Sequence, residues 1–182
     1  LYAPDLPFGD ARLAGVADLF ARRACEDADL IVRAREDPNA FVEAVARIEG
    51  QVWITKQAAA HRMWHDHFTR SGALGGASMA VLLCGISHGK SLQIHRWRVL
   101  WEIGKNPNLR VLLMSATSQL PEKMLSGIKA DIEHNPFVKA VFPHLRPGRK
   151  AGQQRWSNDA IHVDRQDNLT DPSVECAGLT TK

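Results

Sequence analysis

The stretch that most restricts what this chain can become is Met79–Ser91, MAVLLCGISHGKS. Five apolar residues, Met79 to Leu83, run into a loop with two glycines, and Gly89-Lys90-Ser91 stands where a helix should open. The order predicts strand, loop, helix. It is also a physical recipe for holding nucleotide phosphates. Loop amides and a helix N-terminus offer partial positive charge, a lysine adds a full charge, and a serine hydroxyl can sit on Mg²⁺. In the pattern G-x-x-x-x-G-K-[ST] the first glycine would fall on Cys84; Gly85 follows one place late. Glycine eases a tight turn, which cysteine adopts only at a cost. The bland alternative is a chance GKS triplet at a helix start, and the apolar run before it argues against chance.

On the phosphate reading the nucleotide contacts are Gly85, Ile86, Ser87, His88, Gly89, Lys90 and Ser91. Lys90 reaches the β and γ phosphates, and Ser91 helps hold the metal. The amides of Ser87 to Ser91 wrap the β phosphate. The cofactors implied are ATP and Mg²⁺.

The rest of the chain is read around that stretch. Two prolines in residues 1–8 predict an irregular arm. Asp10–Cys25 has helical spacing, and Glu26–Glu36 is a mixed block whose state periodicity leaves open. A short helix is expected after Asp37-Pro38-Asn39, carrying Phe41, Val45 and Ile48 and stopped by Gly50. Lys56–Arg70 is helical, ended by Ser71–Gly76. After the loop, Lys90–Ile103 forms a helix with Ile94, Trp97 and Trp101 on one face. Leu109–Ser115 reads as a second strand, continuous in apolar character as a strand covered on both faces should be. Leu120–His134 is a helix with Leu120, Met124, Ile128 and Ile132 at i+4 spacing, broken at Asn135-Pro136. Trp156–Asp164 and Ser173–Gly178 read as a β-hairpin.

The fold class expected is therefore α/β: a mostly parallel sheet of the P-loop type flanked by helices, with a right-handed strand–helix–strand unit. A helical lead-in over residues 1–50 precedes a core over 51–182. The start at Leu1 and the end at Lys182 suit a piece of a longer protein, with the core incomplete at its C-terminal side. With 182 residues, 45% hydrophobic and 24% charged, the chain has enough material for one domain with a core. A net charge of +3 permits a polyanionic partner without demanding one. Cys25, Cys84 and Cys176 are far apart and make no C-x-x-C pair, which favours a reducing compartment. No run approaches the roughly 18 apolar residues that a membrane span needs, and no signal-peptide pattern opens the chain.

The phosphate stretch with HGKS, the Trp-containing helix, NPNLRVLLMSAT, the helix ending HNPFVKAVFPHL and the tail DNLTDPSVECAGLTT together resemble the large terminase subunit of tailed bacteriophages. That family comprises ATPases that drive double-stranded DNA into procapsids. The resemblance runs in order from about Arg62 to Thr181. It implies a DNA-translocating ATPase motor in the host cytoplasm, docked on the procapsid. The implied partners are double-stranded DNA, the portal protein, the small terminase subunit and further copies of the chain in a ring. Phosphate loops of the family commonly lack the first glycine, so Cys84 fits. They commonly carry an arginine within the loop, where this chain has Ile86-Ser87-His88; His88 or an arginine from a neighbouring subunit would have to stand in. The metal-holding acidic pair of the family follows the PSV…G segment and would fall beyond Lys182, as would the nuclease domain. Asp164 is the nearest alternative within the chain, against a plain hairpin role.

Other groups carry weaker signals. His61, His65 and His67, with Asp66, sit at i, i+4 and i+6, so His61 and His65 share a helix face. They suit a metal site lacking a third ligand, or a polar face. Trp64 suits either an adenine contact, as the resemblance implies, or the core. Ser115-Ala116-Thr117 suits a contact to DNA or to the phosphate loop, or a strand-end turn. Lys139, Arg146, Arg149, Lys150 and Arg155 make a basic run; Arg146, Arg149 and Lys150 are the candidates for DNA phosphates, against a solvated loop. Two rival functions stay open: a helicase-like nucleic-acid-dependent ATPase, and a truncated domain that binds nucleotide without hydrolysing it.

Overall fold

The computed structural model describes residues 25–48, 51–52, 54, 56–73, 79–149, 154–166 and 170–180. The N-terminal arm, nearly all of the helix expected over Asp10–Cys25, and Lys150 lie outside these residues.

Helix α1 is described over residues 25–36 and takes in the block whose state the sequence left open. Asp37 ends it and starts the next. Its backbone is extended (φ −117°), its Oδ1 accepts from the Asn39 N–H at 2.8 Å, and Pro38 fills the first helical position. This is the preferred chemistry of a helix start. Helix α2, Pro38–Val45, is buried along its whole length. A helix apolar on nearly every side belongs inside a core. Ile48, expected in its last turn, lies instead in β1 (Arg47–Ile48), which pairs antiparallel with β2 (Gln51–Val52).

Helix α3 spans Ala59–Ala73. After the loop, Ser91–Arg98 winds as a π-helix and passes directly into α4, Val99–Lys105. Strand β3 is Val111–Ser115, α5 is Gln119–His134, and α6 is Pro136–Val141. Helix α6 repeats the start of α2: Asn135 Oδ1 accepts from the Phe137 and Val138 N–H groups, and Pro136 follows it. The Asn135 amide nitrogen also donates to the Val45 carbonyl at 2.9 Å, tying the two helices together.

The sheet is not the one expected. Strand β5 (Val174–Gly178) runs parallel to β3, with Val111 opposite Val174 and Ser115 opposite Gly178. Strand β4 (Ala160–Ile161) pairs antiparallel with the other edge of β5. The result is a three-stranded mixed sheet among described residues that are about 53% helical, which overturns the mostly parallel P-loop sheet. The physical reason lies in two segments. Met79–Leu83 takes no regular secondary structure and joins no ladder among the described residues, and Met79 and Leu83 are 90% and 89% exposed. The strand–helix–strand unit therefore lacks its first strand. Strand β3 is covered only in part, with Leu113 buried but Leu112 and Met114 half exposed. A continuous apolar run marks a buried strand only when neighbours exist to cover it.

The core lies between the helices and the inner face of this sheet. Phe41 of α2 meets Phe142 with ring centroids 5.6 Å apart. Leu100 and Ile103 of α4, and Leu125, Ile128 and Ile132 of α5, are buried in the same cluster. Each such side chain contributes about 1.5–3 kcal/mol on burial. Arg96 clamps the π-helix to α5 through a two-point pair with Asp131, at 2.8 and 3.0 Å. Arg98, itself buried, donates to the His65 carbonyl and the Thr69 hydroxyl of α3. Trp101 Nε1 donates to the Ala34 carbonyl of α1. In the sheet, Cys176 stands opposite Leu113, and burial pushes its thiol up to about 11. Among the described residues no helix is long and apolar enough to cross a membrane.

Candidate functional site

Residues Gly85 to Lys90 form an exposed loop leading into the π-helix. Ile86 and Ser87 make a turn; Ser87 has φ 65° and Gly89 has φ 77°. Lys90 follows in right-handed helical geometry (φ −51°, ψ −41°) and no side chain caps the helix start. A left-handed residue directly before a right-handed one brings successive N–H groups to one side, the geometry of an anion-binding nest. Gly89 is the residue that can hold the left-handed conformation without strain. Lys90 is exposed and makes no ion pair among the described residues. The loop thus presents donors and a cation together.

The late first glycine has a close neighbour. The His88 ring folds back over the loop, and its Nδ1–H donates to the Ile86 carbonyl at 2.9 Å. A Cβ at position 85 would stand 2.8–2.9 Å from that ring. A side chain at 85 would therefore displace the exposed His88 ring from this position, whatever occupies position 84. His88 is therefore engaged within the loop itself.

The floor of the loop is a polar network that the sequence did not reveal. His61 of α3 donates from Nε2 to the His88 carbonyl at 3.0 Å. Its Nδ1 accepts from the Gln93 amide at 3.3 Å. Gln93, in the π-helix, exchanges two hydrogen bonds with Gln57, at 2.9 and 3.0 Å. Gln93 Oε1 also accepts from His65 Nε2 at 3.0 Å. Glu43 Oε1 accepts from the Gln57 N–H at 2.8 Å and from Arg62 at 2.6 Å. Gln57, His65 and Gln93 are buried. Burial, opposed by the Gln93 hydrogen bond, holds the His65 pKa below its ordinary value, so the ring is a neutral member. The i,i+4 spacing of His61 and His65 was visible, but it serves this network; no group of three metal-type ligands exists among the described residues. Trp64 is buried and its ring lies 4.8 Å from that of His61, which makes it core.

Along the π-helix, His95 follows Lys90 by five residues. Its pKa is lowered by desolvation first and by the Lys90 charge second. His95 lines a cavity of about 70 Å³ with Leu113, Met114, Ser115 and the start of α5. The helix that carries Lys90 thus abuts the carboxyl end of β3. Ser115 and Ala116 offer their carbonyls to the Leu179 and Thr180 N–H groups, so the Ser-Ala-Thr segment is tied to the chain that follows β5.

The remaining expected residues lie elsewhere. Asp164 pairs with Arg146 at 2.7 Å, and its N–H donates to the Arg146 carbonyl. That is the hairpin role, and it occupies both the acidic alternative for the metal and the first of the basic candidates. Arg155 pairs with Asp159. Arg149 is exposed. A cavity of about 570 Å³ lies beside the Arg146–Asp164 pair, and none of its lining residues belongs to the phosphate loop. Comparison with protein-family models, with curated proteins and with solved structures gave no match.

Proposed function

We propose that Gly85–Ser91 binds the phosphates of ATP together with Mg²⁺, and that the chain acts as the ATPase motor of a terminase-type machine that translocates double-stranded DNA. The observation that carries the nucleotide reading is the loop backbone. Two left-handed residues, Ser87 and Gly89, lead into an uncapped helix start bearing Lys90 and Ser91. Those donors have no competing side chain, and Lys90 supplies the charge that a triphosphate needs. The motor reading rests on the sequence resemblance, and Lys139 and Arg149 of the basic run are exposed with no ion pair among the described residues, open to DNA phosphates.

Calorimetric titration with ATP and Mg²⁺ tests the first part. Saturable binding by the wild type and its loss in Lys90→Ala is the expected result; equal binding by both would overturn it. Turnover stimulated by double-stranded DNA tests the second part.

A second reading, nucleotide binding without hydrolysis, has one observation in its favour. Asp164, the acidic residue the sequence offered for the metal, is held by Arg146. Binding without phosphate release, by this chain and by any longer form of it, would select that reading.

A further inference from the structure

We infer that His61 is a positioning residue for the phosphate loop, acting through one backbone carbonyl. The inference rests on the proposal that the loop binds phosphate. A trans peptide is planar, and its C=O and N–H point in opposite directions. His61 Nε2–H holds the His88 carbonyl toward α3. The Gly89 N–H, on the far side of the same peptide, is therefore turned away from α3. That is the direction in which the left-handed Gly89 and right-handed Lys90 open their amides to an anion. The Gly89 carbonyl is engaged separately, accepting from the Gln93 N–H at 2.9 Å. Both peptides that flank Gly89 are thus fixed from beneath.

His61 can act this way because its own ring is fixed. The Gln93 amide nitrogen donates to Nδ1, which leaves the proton on Nε2, facing the loop. With Gln57 and His65 as they stand, Gln93 is held in this orientation. A reversed amide would set oxygen against Gln57 Oε1 and nitrogen against His65 Nε2–H, breaking bonds at both ends. The pairing within the network is extensive, with His65 Nδ1 its one buried atom lacking a partner among the described residues. Order in the loop is thereby drawn from the interface of α3 with the π-helix. His61 itself is half-buried at the rim, where it can be replaced without opening the core.

The test uses His61→Leu, which removes the donor and keeps bulk, and His61→Gln, whose amide nitrogen reaches about as far as Nε2. Two readouts are taken: ATP–Mg²⁺ affinity and hydrogen exchange of the amides of residues 86–90. Loss of one hydrogen bond in His61→Leu should weaken affinity about five- to tenfold and speed exchange across the loop. His61→Gln should restore both to within about twofold. A general structural role would lower thermal stability in both variants without separating them in affinity. If Lys90→Ala abolishes binding while His61→Leu binds like the wild type, the positioning role is wrong and the phosphate site stands. If Lys90→Ala binds like the wild type, the phosphate site itself is wrong and the inference falls with it.

Discussion

Helices α2 and α6 begin alike, and the helix at Ser91 begins differently. Asp37 and Asn135 each place a side-chain oxygen on the first amides, and a proline follows each of them. These starts satisfy their own donors and serve the core. At Ser91 the preceding residue is a lysine, no side chain accepts from the first amides, and the turn before it is left-handed. A cation there opposes the helix dipole. Helix α5 also starts, at Ser118, without a side-chain cap, so what sets the Ser91 start apart is the lysine together with the left-handed turn. On the proposed function this contrast separates residues that serve the fold from residues that serve binding, and it can be broken by experiment.

The largest effect should come from the open start. Lys90→Ala should abolish saturable ATP–Mg²⁺ binding, a loss of more than about a hundredfold, since its charge-assisted contacts to two phosphates are removed. Next come the closed starts. Asn135→Ala removes a cap and the link to Val45, and should cost about 2 kcal/mol in denaturant unfolding with nucleotide affinity unchanged. Asp37→Ala, which removes a single cap bond, should cost about 1 kcal/mol by the same measurement. The smallest effect is the most telling. Lys90→Ala should raise thermal stability by a few tenths of a kcal/mol, because the unfavourable dipole contact disappears. A clear fall in stability would mean that Lys90 belongs to the fold, and the contrast between the helix starts would collapse.

The same contrast explains what the sequence could disclose. Asp37-Pro38 was legible as a helix start because capping is local chemistry, complete within a few residues; Asn135-Pro136 read only as the end of α5, and the helix it opens did not show. The Gly89-Lys90-Ser91 start was legible for the same reason. Met79–Leu83 misled because the strand signal concerns partners that the segment itself does not contain. Among the described residues it joins no ladder. The π-helical winding of Ser91–Arg98 was hidden because its apolar residues also satisfy a 3.6-residue period. The network beneath the loop was hidden because Gln57, His65 and Gln93 carry side chains usually met at the surface. Only the pairing of one with another makes their burial tolerable. Gly85 shows a middle case. Its presence was legible and the ring of His88 folded against it was not.

The partial burial of Cys176 has a use outside folding. With its thiol pushed up to about 11, it stays protonated at neutral pH and is a poor nucleophile toward maleimides. Cys25 is exposed and Cys84 is partly so. Replacing Cys25 with serine would therefore leave a chain that labels chiefly at Cys84, one residue before the loop. A fluorophore there would give an optical signal for ligand arrival, without adding a cysteine to the protein.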